Sequence, residues 1–346
     1  MKTGKVSEAV LKRSVIKPVN KHLKKYGIAV AGVGVDAGLF AVPADTAAMG
    51  QAGTIVAGNQ RGVAELAICR ACNSLAAAGG KPVFVTVQLM LPETMEESGL
   101  KETMEEILTA CERAGVVLKN GHTQVSTLVT ERVIAVTVTG RVPETAWLNE
   151  TVAGSELVMA GSAGLAGAAL LAAQFREELH EKYTYAFIDK AVGHRQEMLV
   201  SAVAEKLLQH GVVHMHDVAE GGVFGAAWEF AERLSCGMEI DLKKIPILQE
   251  TVEVSEFFDI NPYQLKGDGA LLFLSGNAAE SIALLGEHGI AAAVIGRVTD
   301  GNDRILINED EIRHLEPNRV EEYERALQFM KQGKENSYER KIIKGN

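Results

Sequence analysis

The sequence predicts an α+β fold divided into two domains. Three observations lead there. The chain has 346 residues, roughly twice the length of a common single domain. Hydrophobic residues make up 47% and charged residues 23%, the balance of a globular protein that can bury a core in each half. Apolar runs with the period of a strand alternate with apolar faces of helical period, and they do so in both halves.

Residues 5–25 start basic and place Val6, Val10, Leu11 and Val15 near helical spacing, which predicts a short helix ending around Pro18. Residues 26–42 are rich in Gly and Val and end in a strand, Leu39-Phe40-Ala41-Val42. A long helix is expected from about Thr54 to Ala78, stopped by Gly79-Gly80-Lys81-Pro82. The run from Val83 to Leu91 is a strong strand. Leu100, Met104, Ile107, Leu108 and Cys111 share one face of a helix over 100–114, with Glu105 and Glu106 opposite and Gly115 closing it. Strands at 116–118 and 132–138 complete a unit ordered α, β, α, β, α, β, β, an α+β domain.

The segment from Trp147 to Glu156 reads as a link. The second half then repeats the style. Strands are expected at 156–160, 212–216, 270–274 and 292–298, and helices at 163–175, 191–209 and 278–288. Val223, Ala226, Ala227, Phe230, Ala231 and Leu234 lie on one face of a further helix. After Pro317 the chain is highly charged, beginning as a helix on Val320, Tyr323, Leu327 and Met330. Glu321, Glu322 and Glu324 are expected on its solvated face. The expected boundaries are 1–148, 149–318 and a charged tail over 319–346.

The net charge is 35 − 45 = −10, which argues against a nucleic-acid surface, since that needs a basic stripe. No apolar run approaches the length of a membrane span. The four cysteines, with no secretory signal, predict a reducing cytoplasm. Cys69-Ile-Arg-Cys72 has CxxC spacing, but it lies in a helix interior with no second pair or His cluster, so buried structural thiols are expected.

Three stretches bear on chemistry. Gly32-Val33-Gly34-Val35-Asp36-Ala37-Gly38 superficially matches a dinucleotide fingerprint, but a strand and Pro43 follow where a helix should open. No Walker loop is present. Asp36, Asp45, Asn73 and His122-Thr123 are oxygen-rich groups at expected turns. They suit a magnesium–triphosphate site, and equally ordinary turn and cap chemistry. His214-Met215-His216-Asp217-Val218-Ala219-Glu220-Gly221-Gly222 runs from a strand through a polar turn into a helix. Glycines there allow close approach of a ligand, the helix N-terminus offers N–H groups to an anion, and the imidazole and carboxylates suit proton transfer. The residues alone leave open whether this is a site or a capped helix start. Two histidines, His214 and His216, do not make a metal site.

His216-Asp217-Val218-Ala219-Glu220-Gly221-Gly222, with Glu229 behind it, resembles the HD(V/P)T(E/R)GG…E signature of the PurM-like, AIR synthase-related superfamily. Further blocks agree in order. The stretch from Ala71 to Pro82 resembles "ACNDLAAMGAKP". Leu91-Pro92-Glu93 opens a block like "LLPEGTEEEELKEIM". Asn120-Gly121-His122-Thr123-Gln124-Val125 resembles "GGHTEV". The 261–272 and 295–298 stretches are similar to blocks of the HypE-like branch. The resemblance covers roughly residues 5–310.

It implies an N-terminal domain that binds ATP and forms a homodimer through a shared β-barrel, and a C-terminal α/β domain beside it. It also implies phosphorylation by ATP of an amide, carbonyl or thiocarbamate oxygen. The substrate would be a small molecule or a partner protein. Carried over by residue, Asp36 and Asp45 would hold Mg2+, and Asn73, Gly121, His122, Thr123, Gly221 and Gly222 would line the nucleotide site. His216, Asp217 and Glu220 would face the chemistry. The departures are Val35, Ser74, Asn120 and Ala219, which replace two acids, a glycine and a threonine of the family pattern. The two lost acids are hard oxygen ligands, so the changes weaken the case for both ATP and Mg2+ and favour a second reading, a non-catalytic binding or assembly homodimer. No cysteine follows Cys236, so chemistry carried on a C-terminal thiol is not expected.

Overall fold

A computed structural model describes residues 8–17, 20, 24, 32–33, 37–41, 48–143, 154–316 and 321–331. Thr54, Ile55 and Val56 are consecutive β-branched residues, which crowd a helix but suit a pleated strand. They fall in β2 (Ala48–Ala57), whose ten residues pair antiparallel with β5 (Val133–Val142). The helix expected from Thr54 therefore begins only at Val63 and runs to Ala77. The turn between uses Gly58 and Gly62, with φ of 145° and 97°, conformations open to glycine.

β1 (Ala37–Ala41), β3 (Lys81–Leu91) and β4 (Val117–Val125) complete a sheet ordered β1-β2-β5-β3-β4. Only β3 and β4 are parallel. Alternate residues face inward: Val85, Val87 and Leu89 of β3, with Ile134, Val136 and Val138 of β5. The Val63–Ala77 and Glu97–Ala114 helices cover that face, the second ending at Gly115 (φ 65°). Leu108, expected on the buried face of the second helix, is 46% exposed, whereas Ile107 and Cys111 are buried as the spacing requires. β4 extends to Val125, through His122 and Thr123 where a turn was expected, because its backbone pairs with β3 as far as Leu91 and Val125.

The second unit is a seven-stranded sheet. Its strands are β6 (Glu156–Ala160), β7 (Met215–Val218), β8 (Gly237–Asp241), β9 (Ala270–Ser275), β10 (Ala292–Thr299), β11 (Arg304–Asn308) and β12 (Glu311–His314). They are ordered β12-β11-β8-β10-β6-β9-β7, all antiparallel except β11 and β8. β6 and β9 sit inside this sheet and read as continuous apolar runs. The helix expected over 191–209 is split. One piece, Tyr185–Gly193, passes through a 3-10 turn (His194–Glu197), and a second helix spans Ser201–Gln209. β8, β11, β12 and the Gln249–Phe257 helix were not anticipated.

One core runs across both units. Leu165, Leu170, Leu171 and Phe175 of the second unit join the cluster that holds Leu66, Ile68, Leu75 and Ile107 of the first. The helix over 322–331 docks on this core through Tyr323 and Ala326. Glu321 and Glu322, expected on a solvated face, are 4% and 5% exposed. The reason is local: Glu321 accepts from Lys266 Nζ at 2.8 Å, and Glu322 accepts from the Asn261 backbone N–H at 2.9 Å. Among the described residues no helix is long and apolar enough to cross a membrane.

All four cysteines are buried and free, in keeping with the structural reading of Cys69 and Cys72. Burial pushes the Cys69 thiol up to about 12 and the Cys111 thiol up to about 11, and it raises Cys72 and Cys236 as well. A thiol-disulfide exchange reagent at pH 8 should therefore find less than one reactive thiol per native chain. All four should titrate once the protein is unfolded in denaturant. Rapid reaction of two native thiols would contradict this packing.

Candidate functional site

A cleft of about 570 Å³ opens between the two units. Gly53, Ile55, Ala135 and Thr137 of β2 and β5 form one wall. Arg70 and Ser74 of the Val63–Ala77 helix form another, and His216, Asp217, Glu220 and Glu229 line the side of the second unit. The volume lies within the range of small-molecule sites.

β7 delivers the first two of these acid–base groups. It is only four residues long, is buried throughout, and pairs with β9, which fixes the register of His216 and Asp217. His216 Nδ1 lies 2.8 Å from the Asp217 carbonyl oxygen. A carbonyl only accepts, so Nδ1 carries the proton, and the neutral ring has its lone pair on Nε2. Nε2 lies 3.9 Å from Glu229 Oε2. The ring is held edge-on against Phe230, centroids 5.7 Å apart. Asp217 accepts a hydrogen bond of 3.0 Å from the Ser74 hydroxyl, so the two units touch directly at the cleft.

Behind these groups lies a buried ionic hub. Arg70 is 4% exposed and Asp268 is 0% exposed. Arg70 Nε and Nη2 each donate to one oxygen of the Asp268 carboxylate at 2.8 Å, a bidentate fork. Its Nη1 donates to Glu220 Oε1 at 2.9 Å. Burial alone would lower the Arg70 pKa. The charge of Asp268, reinforced by Glu220, more than reverses this, so the guanidinium stays protonated. Lys266 Nζ sits 3.9 Å from Glu220 Oε1 and 2.8 Å from Glu321 Oε2.

Of the expected site residues, His216, Asp217 and Glu220 do line one cleft. Asn73 does not. It is 1% exposed, and its amide is bonded at both ends to backbone, Nδ2 donating to Met198 O at 2.7 Å and Oδ1 accepting from Val200 N at 2.8 Å. It clamps the two units together. Gly121, His122 and Thr123 lie on the exposed strand β4, separated from the cleft wall at β5 by β3.

Gly221 and Gly222 are buried beneath the site. Gly222 has φ of 61°, and a Cβ there would come 2.4 Å from Tyr263 O, so the close approach is to the chain's own backbone. Part of the helix N-terminus expected to hold an anion is used by the chain's own backbone. Gly222 N donates to Ala219 O, and Phe224 N donates to Tyr263 O. Asp36 and Asp45 lie outside the described residues.

Sequence reasoning passed over Arg70, Lys266 and Asp268, and it placed Glu321 on a solvated face. One signal was present: Arg70 is a lone charge among Leu66, Ala67, Ile68, Cys69, Ala71 and Cys72, and a charge in such a stretch requires a buried counter-charge. The described residues contain no group of three or more His, Cys, Asp or Glu arranged to hold a metal. The cleft carboxylates suit a hard cation in type but do not form a complete ligand set.

The sequence matches the family described as AIR synthase related protein, its N-terminal domain over residues 34–142 and its C-terminal domain over residues 152–308. It is similar to carbamoyl dehydratase HypE of Escherichia coli, 28% identical over 252 residues, covering 69% of this chain and 70% of that one. Among solved structures it resembles a HypE–HypF complex, with a TM-score of 0.70 and 20% identity, covering 89% of this chain and 99% of that one. It also resembles the hydrogenase maturation protein HypE in complex with ATP, with a TM-score of 0.64 and 17% identity, covering 94% and 97% of the two chains. At these identities the structural likeness shows the fold.

The hub makes a stability prediction. Arg70→Met strands the fully buried Asp268 carboxylate and should cost about 3–5 kcal/mol. Pairing it with Asp268→Leu should recover most of that loss. Urea denaturation midpoints of the three proteins measure both. A single variant within 1 kcal/mol of wild type would rule out the hub as a structural keystone.

Proposed function

The chain belongs to the AIR synthase-related protein family, and on that premise we propose that it binds ATP in this cleft and uses it to phosphorylate a carbonyl, amide or thiocarbamate oxygen. The observation that carries the reading is the convergence of His216, Asp217, Glu220 and Glu229 on one cleft between the units. The names of the relatives support it: one is a carbamoyl dehydratase, and a protein of the same fold was solved with ATP.

ATP supplies the phosphoryl group that turns a poor oxygen leaving group into a good one. The residues of the chain supply orientation and proton transfer. As an amide-type oxygen attacks the γ-phosphorus, the bond from that phosphorus to the β,γ-bridging oxygen breaks and ADP leaves. The adjacent nitrogen becomes acidic, His216 Nε2 accepts its proton, and the phosphorylated oxygen then departs as inorganic phosphate. Glu229, 3.9 Å away, stabilises the imidazolium that results. The Asp217 carbonyl holds the ring in the tautomer this requires. Glu220 and Arg70 present a paired charge at the back of the cleft.

Mg2+ would be held by Asp36 and Asp45, carried over from the family pattern. The homodimer of the family would form through the first sheet, at whose β4 edge Val117 and Val125 are 57% and 60% exposed. The substrate is a small molecule or a group on a partner protein, and the setting is the cytoplasm.

A second reading, a binding or assembly homodimer without turnover, has its own support. Ser74 stands where the family pattern has an acid, and its hydroxyl bonds Asp217 directly, in place of a second carboxylate that a cation would bridge. Arg70 is committed to Asp268 and Glu220 rather than to a phosphate.

Thermal melting with and without Mg–ATP, together with a phosphate-release assay, separates the readings. ATP at 100 times its dissociation constant should stabilise the chain by about 2.7 kcal/mol. In the enzyme reading His216→Gln keeps that stabilisation and loses at least ten-fold in phosphate release with the correct substrate. A thermal shift without turnover on any carbamoyl or thiocarbamoyl substrate selects the binding protein. No shift at saturating Mg–ATP removes ATP from both readings.

A further inference from the structure

The carboxylate of Glu321 comes from the last described segment of the chain, yet it ends next to the cleft. Its Oε2 accepts from Lys266 Nζ at 2.8 Å, and the same Nζ lies 3.9 Å from Glu220 Oε1. Glu220 Oε1 is in turn the acceptor for Arg70 Nη1. Two cations thus flank one carboxylate oxygen at unequal distances, and Glu321 lies on the far side of the more distant one.

The backbone ties the ladder to the turn below the cleft. Ala219 O accepts from both Gly222 N at 3.2 Å and Gly267 N at 3.1 Å, joining the neighbours of Glu220 to the neighbour of Lys266. Lys266 O accepts from Gly167 N at 2.9 Å. The ammonium therefore sits on a fixed base, packed over the Tyr323 ring with Nζ 5.0 Å from its centroid. Glu321 is buried, and its second oxygen, Oε1, has no hydrogen-bond partner among the described residues.

From this geometry we propose that Glu321 is a positioning residue for the cleft: by holding the Lys266 ammonium, it keeps Glu220 on Arg70 and facing the ligand. When the Glu321 charge is removed, the nearest remaining carboxylate for Lys266 is Glu220. The ammonium then competes with Arg70 for the same oxygen and draws the side chain back from the cleft. Glu322 provides the internal control. It docks the same segment, through Asn261 N, with no described contact to Lys266.

The inference rests on the cleft being the functional site, and the experiment is built so that either idea can fail alone. Amide hydrogen exchange is followed on the full chain without ligand, in wild type, Glu321→Gln, Glu321→Asp and Glu322→Gln. Glu321→Gln should speed exchange at the Gly222 and Gly267 amides by about ten-fold and leave the 323–331 helix unchanged. Glu322→Gln should instead loosen the Asn261 turn and spare Gly222 and Gly267. Glu321→Asp should fall between wild type and Glu321→Gln.

Equal loosening of the helix by both Gln variants, or no change at Gly222 in Glu321→Gln, would overturn the proposal. A separate arm measures the Mg–ATP thermal shift. A smaller shift in Glu321→Gln than in wild type supports the relay, and an undiminished one overturns it. If wild type itself shows no shift, the nucleotide reading fails, and the exchange arm still decides the ladder.

Discussion

The fork between Arg70 and Asp268 is the constraint around which the two units are arranged. Both groups are out of water, so each is tolerable only with the other in place. Arg70 rises from a helix of the first unit, and Asp268 sits in the loop that feeds β9 of the second. The pair therefore ties the two units together at the back of the cleft. Glu220 uses the remaining face of the guanidinium, which makes a lining residue of the cleft part of the structural hub.

The same economy governs the glycines below β7. A glycine pair between strand and helix commonly signals a phosphate cradle. Here the room left by the missing side chain at 222 is taken by the 263–265 backbone, whose Tyr263 carbonyl also accepts the Phe224 N–H. The glycine is demanded by packing, and that packing sits directly beneath His216, Asp217 and Glu220, which line the cleft. The signature is thus partly a folding signature, set by backbone packing at Gly222.

Much of the fold was legible because periodicity is a local signal. The Glu97–Ala114 helix with its Gly115 stop, the β3 run and the buried strands of the second sheet were all visible in sequence. What failed was decided by long-range pairing. The last residues of β2, from Thr54, looked like part of the following helix, although their β-branched side chains suit the strand that β5 pairs. His122-Thr123 looked like a turn until pairing with β3 extended the strand through it. The site divided along the same line. His216, Asp217 and Glu220 sit on one short strand and turn, so one local pattern brings all three to the cleft. Arg70, Asp268, Lys266 and Glu321 are far apart in sequence, and only the three-dimensional chain makes them neighbours. The Asn73 amide looked like a ligand contact because polar groups at binding sites and polar groups at interfaces have the same composition.

The Asn73 clamp has a consequence for motion. With both ends of one amide bonded to residues 198 and 200, and Leu66, Leu75, Leu170 and Leu171 in a single apolar cluster, rotating one unit away from the other would break hydrogen bonds and expose core together. A jaw-like opening is therefore costly. Any adaptation around the cleft then falls to side chains and short turns rather than to swinging domains.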